Sequence, residues 1–183
     1  DRACTPGGTI VLLGPDPKEE LGALYLRLRH AVVYDGATLI ELTPRRTGLS
    51  DHAAHSLRVL PGEAPAVVRS LFGEGSPAGV VGLSTDELRD AGATLAAARG
   101  PVTVLLGRPS LAEASGPVVD AALGLYDNLP DSAFLSLLRR GNVHGALDMG
   151  LAPGMLPGRS TIAEAHRFVD HWDQVPTERG RDT

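Results

Sequence analysis

The chain of 183 residues holds a single cysteine, Cys4. That excludes an internal disulfide, and it excludes an iron–sulfur cluster held by this chain alone, since such clusters take several thiolates. Aromatic residues are scarce, with one Trp, three Tyr and three Phe, so the core has to be built from Leu, Val and Ala. No apolar run approaches the roughly 20 residues that span a bilayer as a helix. Positive charge is not in excess. The formal net charge is −5, which removes the electrostatic case for nucleic acid. Motifs are missing too: there is no HExxH, no Cys/His zinc pattern, no GxSxG elbow, no GxGxxG and no P-loop. The chain opens on Asp1 without a signal-peptide pattern, so it reads as a piece of a longer protein.

Glycine and proline are plentiful, at 22 and 14 residues, and they punctuate short apolar segments. The segment from Thr9 to Thr47 sets the pattern. Residues 10–13 are a continuous apolar run next to Gly14, which suits a strand buried on both faces. Asp16-Pro17, with Glu19 and Glu20 behind it, marks a helix start where acids favour the dipole. Leu21, Leu24, Leu28 and Ala31 give that helix one apolar face. Asp35-Gly36 turns the chain into a second strand, residues 37–42. Strand, helix, strand is a βαβ unit, right-handed by rule, whose ligands sit at the carboxyl ends of the strands. Those ends are 14–20 and 43–47.

Residues 44–53 read as a loop across the strand ends, 56–60 as a short strand, and 64–72 as a short helix with Val67, Val68 and Leu71 inward. Residues 73–77 form the best internal boundary. A second α/β unit follows, with a strand over 78–83 and a helix to about Ala98 from Ser84, where Glu87 closes a capping box. Next come a strand at 102–106, a further N-cap at Ser110 with Glu113, and a helix at 118–125 after the Gly116-Pro117 break. A short helix at 131–138, an irregular Gly/Pro-rich stretch at 139–158 and a last helix at 162–172 complete the pattern.

Chemistry at these places has two readings each. His52 and His55 could share a metal on one helical face, but no third ligand is near, and solvated loop histidines fit as well. The amides of 14–17 could hold an anion at a helix start, although two prolines remove two donors; a tight strand–helix turn is the other reading. Arg45 and Arg46 could grip a phosphate, or pair with Glu19, Glu20 or Asp51 across the same edge. Asn142, His144 and Asp148 lie in a glycine-rich path that allows either close approach of a ligand or plain turns.

Four segments, in order, carry a resemblance. GPDPKEE is similar to a G-x-N-P-x-E loop. LIELTPRRTGLSDHAAHSLRVLPGEAPAVVRSL is similar to V-x-D-P-R-x-T followed by L-x-x-x-P-G-T-D-x-A-L. RRGNVHGALDMGLAPGMLPG is similar to N-V-Q-G-A-x-D-M-G-x-x-P-x-x-x-P-G, and HRFVDHWDQVP to an F-x-x-x-W segment. Over about residues 9–176 the chain resembles the molybdopterin oxidoreductase superfamily. The departures select a branch. Thr43 stands where cofactor-binding members carry an acid, Asp16 where they carry Asn, and Ala64 where they carry the acid of P-G-T-D. The branch resembled is the G subunit of NADH-quinone oxidoreductase, the large iron–sulfur subunit of respiratory complex I, in its actinobacterial form.

The resemblance implies an α/β, Rossmann-like fold with a mostly parallel sheet, helices on both faces and two related lobes, 1–74 and 75–183. It implies a parent that passes electrons from NADH to quinone through iron–sulfur clusters held elsewhere. This piece is then structural, with no catalytic residue, metal or cofactor of its own. Gly14, Asp16, Glu19, Thr43, Arg45, Asn142 and Asp148 would outline a vestigial cofactor cleft, and Arg45 and Arg46 would serve ion pairs. The implied partners are the other peripheral-arm subunits of complex I, on the cytoplasmic side of the cell membrane, with no nucleic acid and no direct membrane insertion. The other branch is a formate-dehydrogenase-like fragment that binds molybdopterin guanine dinucleotide in that cleft. A generic nucleotide-binding module is the third reading.

Overall fold

The computed structural model describes residues 1–74, 82–109 and 114–180. The chain divides into two compact units, 1–137 and 138–183. In the first, β1 (Thr9–Leu13), β2 (Thr38–Thr43), β3 (His55–Arg58), β4 (Val102–Leu106) and β5 (Ala133–Ser136) form a sheet. Its order is β3-β2-β1-β4-β5, and every neighbouring pair is parallel. This is the α/β, Rossmann-like arrangement expected from the sequence.

All five residues of β1 are buried. Val11 lies opposite both Ile40 of β2 and Val104 of β4. Successive side chains of a strand point to opposite faces. Val11 and Leu13 join Ile40, Leu42 and Val104 on one face, under α3 (Ala64–Leu71), α4 (Thr85–Ala96) and α5 (Gly116–Asn128). Ile10 and Leu12 join Leu39 and Leu105 on the other, under α2 (Gly22–Tyr34), which buries Leu28 and Ala31 there. The inward residues of α3 are Ala64, Val67, Val68 and Leu71, as the helical spacing predicts.

Several expectations need correction. The boundary at residues 74 and 75 does not divide the sheet, because β4 pairs with β1 from Thr9–Val102 to Leu13–Leu106. A buried central strand has to satisfy its N–H and C=O groups on both sides, so the two halves share one sheet. The helix expected at 131–138 is the edge strand β5. A run this short carries no decisive period, and the open side of β4 offers backbone partners, from Thr103–Ala133 to Leu106–Ser136. Pro117 does not delay α5. It sits in the first turn, where its missing N–H costs nothing. The single helix expected after Asp16 is two, α1 (Pro17–Glu20) and α2, because Leu21 adopts φ −141° and ψ 64°. The strand expected at 78–83 falls largely, and the N-cap pair Ser110 and Glu113 wholly, outside the described residues.

The second unit holds α6 (Val143–Asp148), an antiparallel hairpin of β6 (Met155–Leu156) and β7 (Ser160–Thr161), and a 3₁₀ helix, Ile162–Phe168. The stretch expected to be irregular at 139–158 therefore contains a short helix and half a hairpin. The last helix is 3₁₀ and ends before Trp172, whose ring packs 4.9 Å from that of Phe168. Among the described residues of this unit only Leu156 and Ser160 are buried, too little core for independent stability.

Two substitutions test this packing. A Cβ on Gly92 of α4 would stand 2.1 Å from the Leu71 carbonyl oxygen of α3. Gly92→Ala therefore has to push the helices apart, and should lower stability by about 1–3 kcal/mol in a denaturant titration. At the start of α4 the capping box forms as expected. Glu87 N–H donates to Ser84 Oγ at 3.2 Å, and Ser84 N–H donates to Glu87 Oε2 at 2.8 Å. The Ser84 N–H first, then its hydroxyl, hold the Glu87 carboxyl below its ordinary value of 4.5. A lowered folded-state pKa stabilises above the ordinary value, and that stability is lost as pH falls through the folded one. Ser84→Ala should cost about 1 kcal/mol near neutral pH, and its deficit against the unsubstituted chain should narrow as the titration is repeated at about pH 3.

Candidate functional site

The chain order of the sheet reverses between β1 and β4, and a ligand of such a sheet sits in the crevice outside their carboxyl ends. Here the crevice is filled by the chain itself. A Cβ at Gly14 would lie 3.0 Å from the Gly107 nitrogen and 3.1 Å from Leu137 Cδ1, and one at Gly107 would lie 2.8 Å from Pro15 Cδ. Gly107 N–H donates to the Leu13 carbonyl at 2.9 Å, and Leu137 N–H to the Leu106 carbonyl at 2.7 Å. Gly14 thus serves backbone-to-backbone closure, with buried Leu137 as the plug. An apolar recess beside it, between Leu13, Leu42, Pro44 and Pro109, measures about 10 Å³, room for about one water.

Asp16 is buried, and both its oxygens are engaged. Oδ1 accepts from Lys18 N–H at 2.9 Å, capping α1, and Oδ2 accepts from Gly48 N–H at 2.9 Å, fixing the loop after β2. The two backbone donors approach different oxygens of the carboxylate, and an asparagine would set its NH2 donor against one of them. That is a physical reason for Asp at this position.

Thr43 belongs to a polar ladder. Period two places Glu41 and Thr43 on the face that also carries Leu39. The register sets Glu41 against Ser56 and Thr43 against Arg58. The Glu41 carboxylate is fully buried. Its Oε2 accepts from Ser50 Oγ at 2.7 Å and Ser56 Oγ at 2.6 Å, and its Oε1 from the Thr47 hydroxyl. Arg58 Nη2 lies 4.0 Å from Oε2. Arg58 also donates to Thr43 Oγ1 at 2.8 Å, to the Arg45 carbonyl at 2.9 Å and to Ser56 Oγ at 2.7 Å. The Thr43 hydroxyl donates to the Arg45 carbonyl at 2.9 Å. One buried carboxylate and one guanidinium therefore tie β2, β3 and the loop above them into a single network.

At the rim, Arg45 donates to Glu19 at 2.9 Å and Arg46 pairs with Asp51. These are the ion pairs weighed from the sequence. Gly14, Asp16, Glu19, Thr43 and Arg45 thus converge on one edge of the sheet. Asn142 and Asp148 belong to the second unit. There Asn142 is exposed ahead of α6, and Asp148 accepts from Arg159 Nε at 2.6 Å, while Arg159 Nη2 lies 3.1 Å from His144 Nδ1. Of the two histidines considered for a metal, His55 Nε2 lies 2.7 Å from Thr94 Oγ1. Among the described residues no three His, Cys, Asp or Glu side chains cluster to hold a metal. Sequence reasoning missed Glu41 and Arg58. The available signal was an acid inside the otherwise apolar strand, ATLIEL, in step with Leu39.

No family model matches the chain. It is similar to the G subunit of NADH-quinone oxidoreductase. The relative named as the second such G subunit of Rhizobium meliloti is 29% identical over 197 residues. The NADH-quinone oxidoreductase G subunits of Mycobacterium bovis and Mycobacterium tuberculosis are each 27% identical over 182 residues. Each similarity covers 94% of this chain. The chain spans only 23% of the rhizobial relative and 20% of the mycobacterial ones. Among the described residues no helix is long and apolar enough to cross a membrane.

The buried network ranks the residues of this edge. Glu41→Ala leaves three hydroxyls without their acceptor and Arg58 without its buried counter-charge, and should destabilise by about 3 kcal/mol or more. Glu41→Gln keeps the volume and one acceptor and should cost less. Arg45→Ala removes an exposed pair and should stay within about 1 kcal/mol. Denaturant midpoints of the three variants check the order; an Arg45→Ala loss equal to that of Glu41→Ala would refute it.

Proposed function

We propose that this chain is a piece of the large iron–sulfur G subunit of NADH-quinone oxidoreductase, serving there as a structural α/β domain. The observation that carries the reading is similarity along 94% of the chain to proteins of that name, of which it spans 20–23%. The parent complex transfers electrons from NADH to quinone. With Cys4 as its one thiol, this piece holds no cluster unaided, and the iron–sulfur centres belong to the rest of the parent. Its partners are the other peripheral-arm subunits of complex I, at the cytoplasmic face of the membrane.

The carboxyl edge is a vestigial cofactor cleft of the molybdopterin oxidoreductase superfamily, and the branch is the actinobacterial one. Support comes from the engagement of its groups. Asp16, Thr43, Glu19 and Arg45 satisfy one another or nearby backbone, and Gly14 packs on Gly107. A dinucleotide needs open donors and room for close backbone approach, and these residues fit it poorly. No reaction step is assigned to the piece.

The test is affinity purification of the parent protein through a tag on this segment, followed by metal, pterin and NADH–quinone reductase assays. The expected result is co-purification with an NADH-oxidising, iron-containing complex, with molybdenum and pterin far below stoichiometric. A stoichiometric pterin or molybdenum content would sink the vestigial cleft. A parent found outside any such complex would sink the proposed membership.

A further inference from the structure

The larger opening lies at the other end of the sheet. A cleft of about 500 Å³ sits outside the amino ends of β4 and β5, a volume typical of small-ligand sites. The last turns of α4 and α5 reach it, and Leu95 and Leu129 supply apolar wall. Two guanidiniums, of Arg2 and Arg99, line it with one carboxylate, that of Asp131. Arg2 Nη2 donates to the Asp131 carbonyl at 3.2 Å. Among the described residues Arg99 has no hydrogen-bond or ion-pair partner. An exposed guanidinium with no protein partner is a group that a bound anion engages through paired N–H donors.

The charge pattern narrows the chemistry. Two arginines against one aspartate favour an anion. The carboxyl ends of α4 and α5 carry partial negative charge, which opposes a dianionic phosphate more than a monoanion and favours a ligand that also brings N–H donors. We propose that this cleft binds a carboxylate with adjacent N–H groups. Arg99 and Arg2 take the carboxylate, and the helix ends and Asp131 take the donors. A free amino acid supplies this chemistry, and so does an Asp or Glu side chain within a polypeptide, through its own backbone amides.

The test is an NMR titration of the parent protein, isotope-labelled across these 183 residues, with three probes: free glutamate, a blocked tripeptide with a central glutamate, and inorganic phosphate. Saturable shifts at the amides of Ala98, Arg99, Gly100 and Ser132 are expected with a carboxylate probe. Arg99→Ala should weaken that binding about tenfold or more, the loss of a charge-assisted hydrogen bond. Arg99→Lys should fall between. Unchanged peak dispersion in both variants shows that they fold. Saturation by free glutamate assigns a small-molecule source, and saturation by the tripeptide alone assigns a polypeptide one. No saturation with either, phosphate binding as tightly, or Arg99→Ala binding undiminished overturns the proposal.

Discussion

β1 has neither an exposed face nor an open edge. Its five residues are buried, and it pairs with β2 on one side and β4 on the other. The βαβ unit that begins the chain satisfies only the first of these sides. The second is satisfied by Val102–Leu106, reached after two further helices. Leaving that side bare would strand a row of backbone N–H and C=O groups in the core. The need to pair β1 twice therefore joins two sequence halves that look alike into one sheet. It also sets the packing. The two periods of β1 send Val11 and Leu13 under three helices, and Ile10 and Leu12 under α2.

A parallel sheet gathers strand ends and helix amino ends at one edge, and these leave unpaired groups that something must satisfy. In a cofactor-binding protein the ligand does part of this. Here side chains do it. Asp16 answers two backbone amides, and Glu41 answers three hydroxyls. Burying a carboxylate carries a large desolvation cost unless its lone pairs are met, and Glu41 meets that condition through residues from β3 and the loop. Removing one member would orphan several others, so the edge holds as a unit. The ion pairs of Arg45 and Arg46 lie outside this unit and are well exposed, which leaves them little energetic weight.

Much of this was legible in the sequence where local signals and the tertiary outcome agree. The apolar run of β1, the strand β4, the inward face of α3 and the Ser84–Glu87 box all declare themselves within a few residues. The pairs Arg45–Glu19 and Arg46–Asp51 were legible because both loops leave the same edge. β5 was not, since its four residues carry no decisive period and take strand form from the edge of β4. The break at Leu21 was not, because the apolar spacing runs through it unchanged. Glu41 escaped for a different reason. A sequence displays charge but not burial, and the hydroxyls that make the burial tolerable come from Thr47, Ser50 and Ser56 on other segments.

The two ends of the sheet differ in what they leave unmet, and the difference follows from strand and helix polarity. At the carboxyl end, helix amino termini and strand ends present donors, and short acidic or hydroxyl side chains on the adjoining turns can answer them locally. Asp16 does so within two residues. At the amino end, the helices present carbonyls, which short side chains cannot answer. Arg2 and Arg99 stand beside these helix ends, where positive charge is favoured, and line the cleft. This end keeps open space, where the other is closed by glycine contacts and Leu137. The second unit shows the same limit in another form. Among its described residues only Leu156 and Ser160 are buried, so it encloses almost no core of its own.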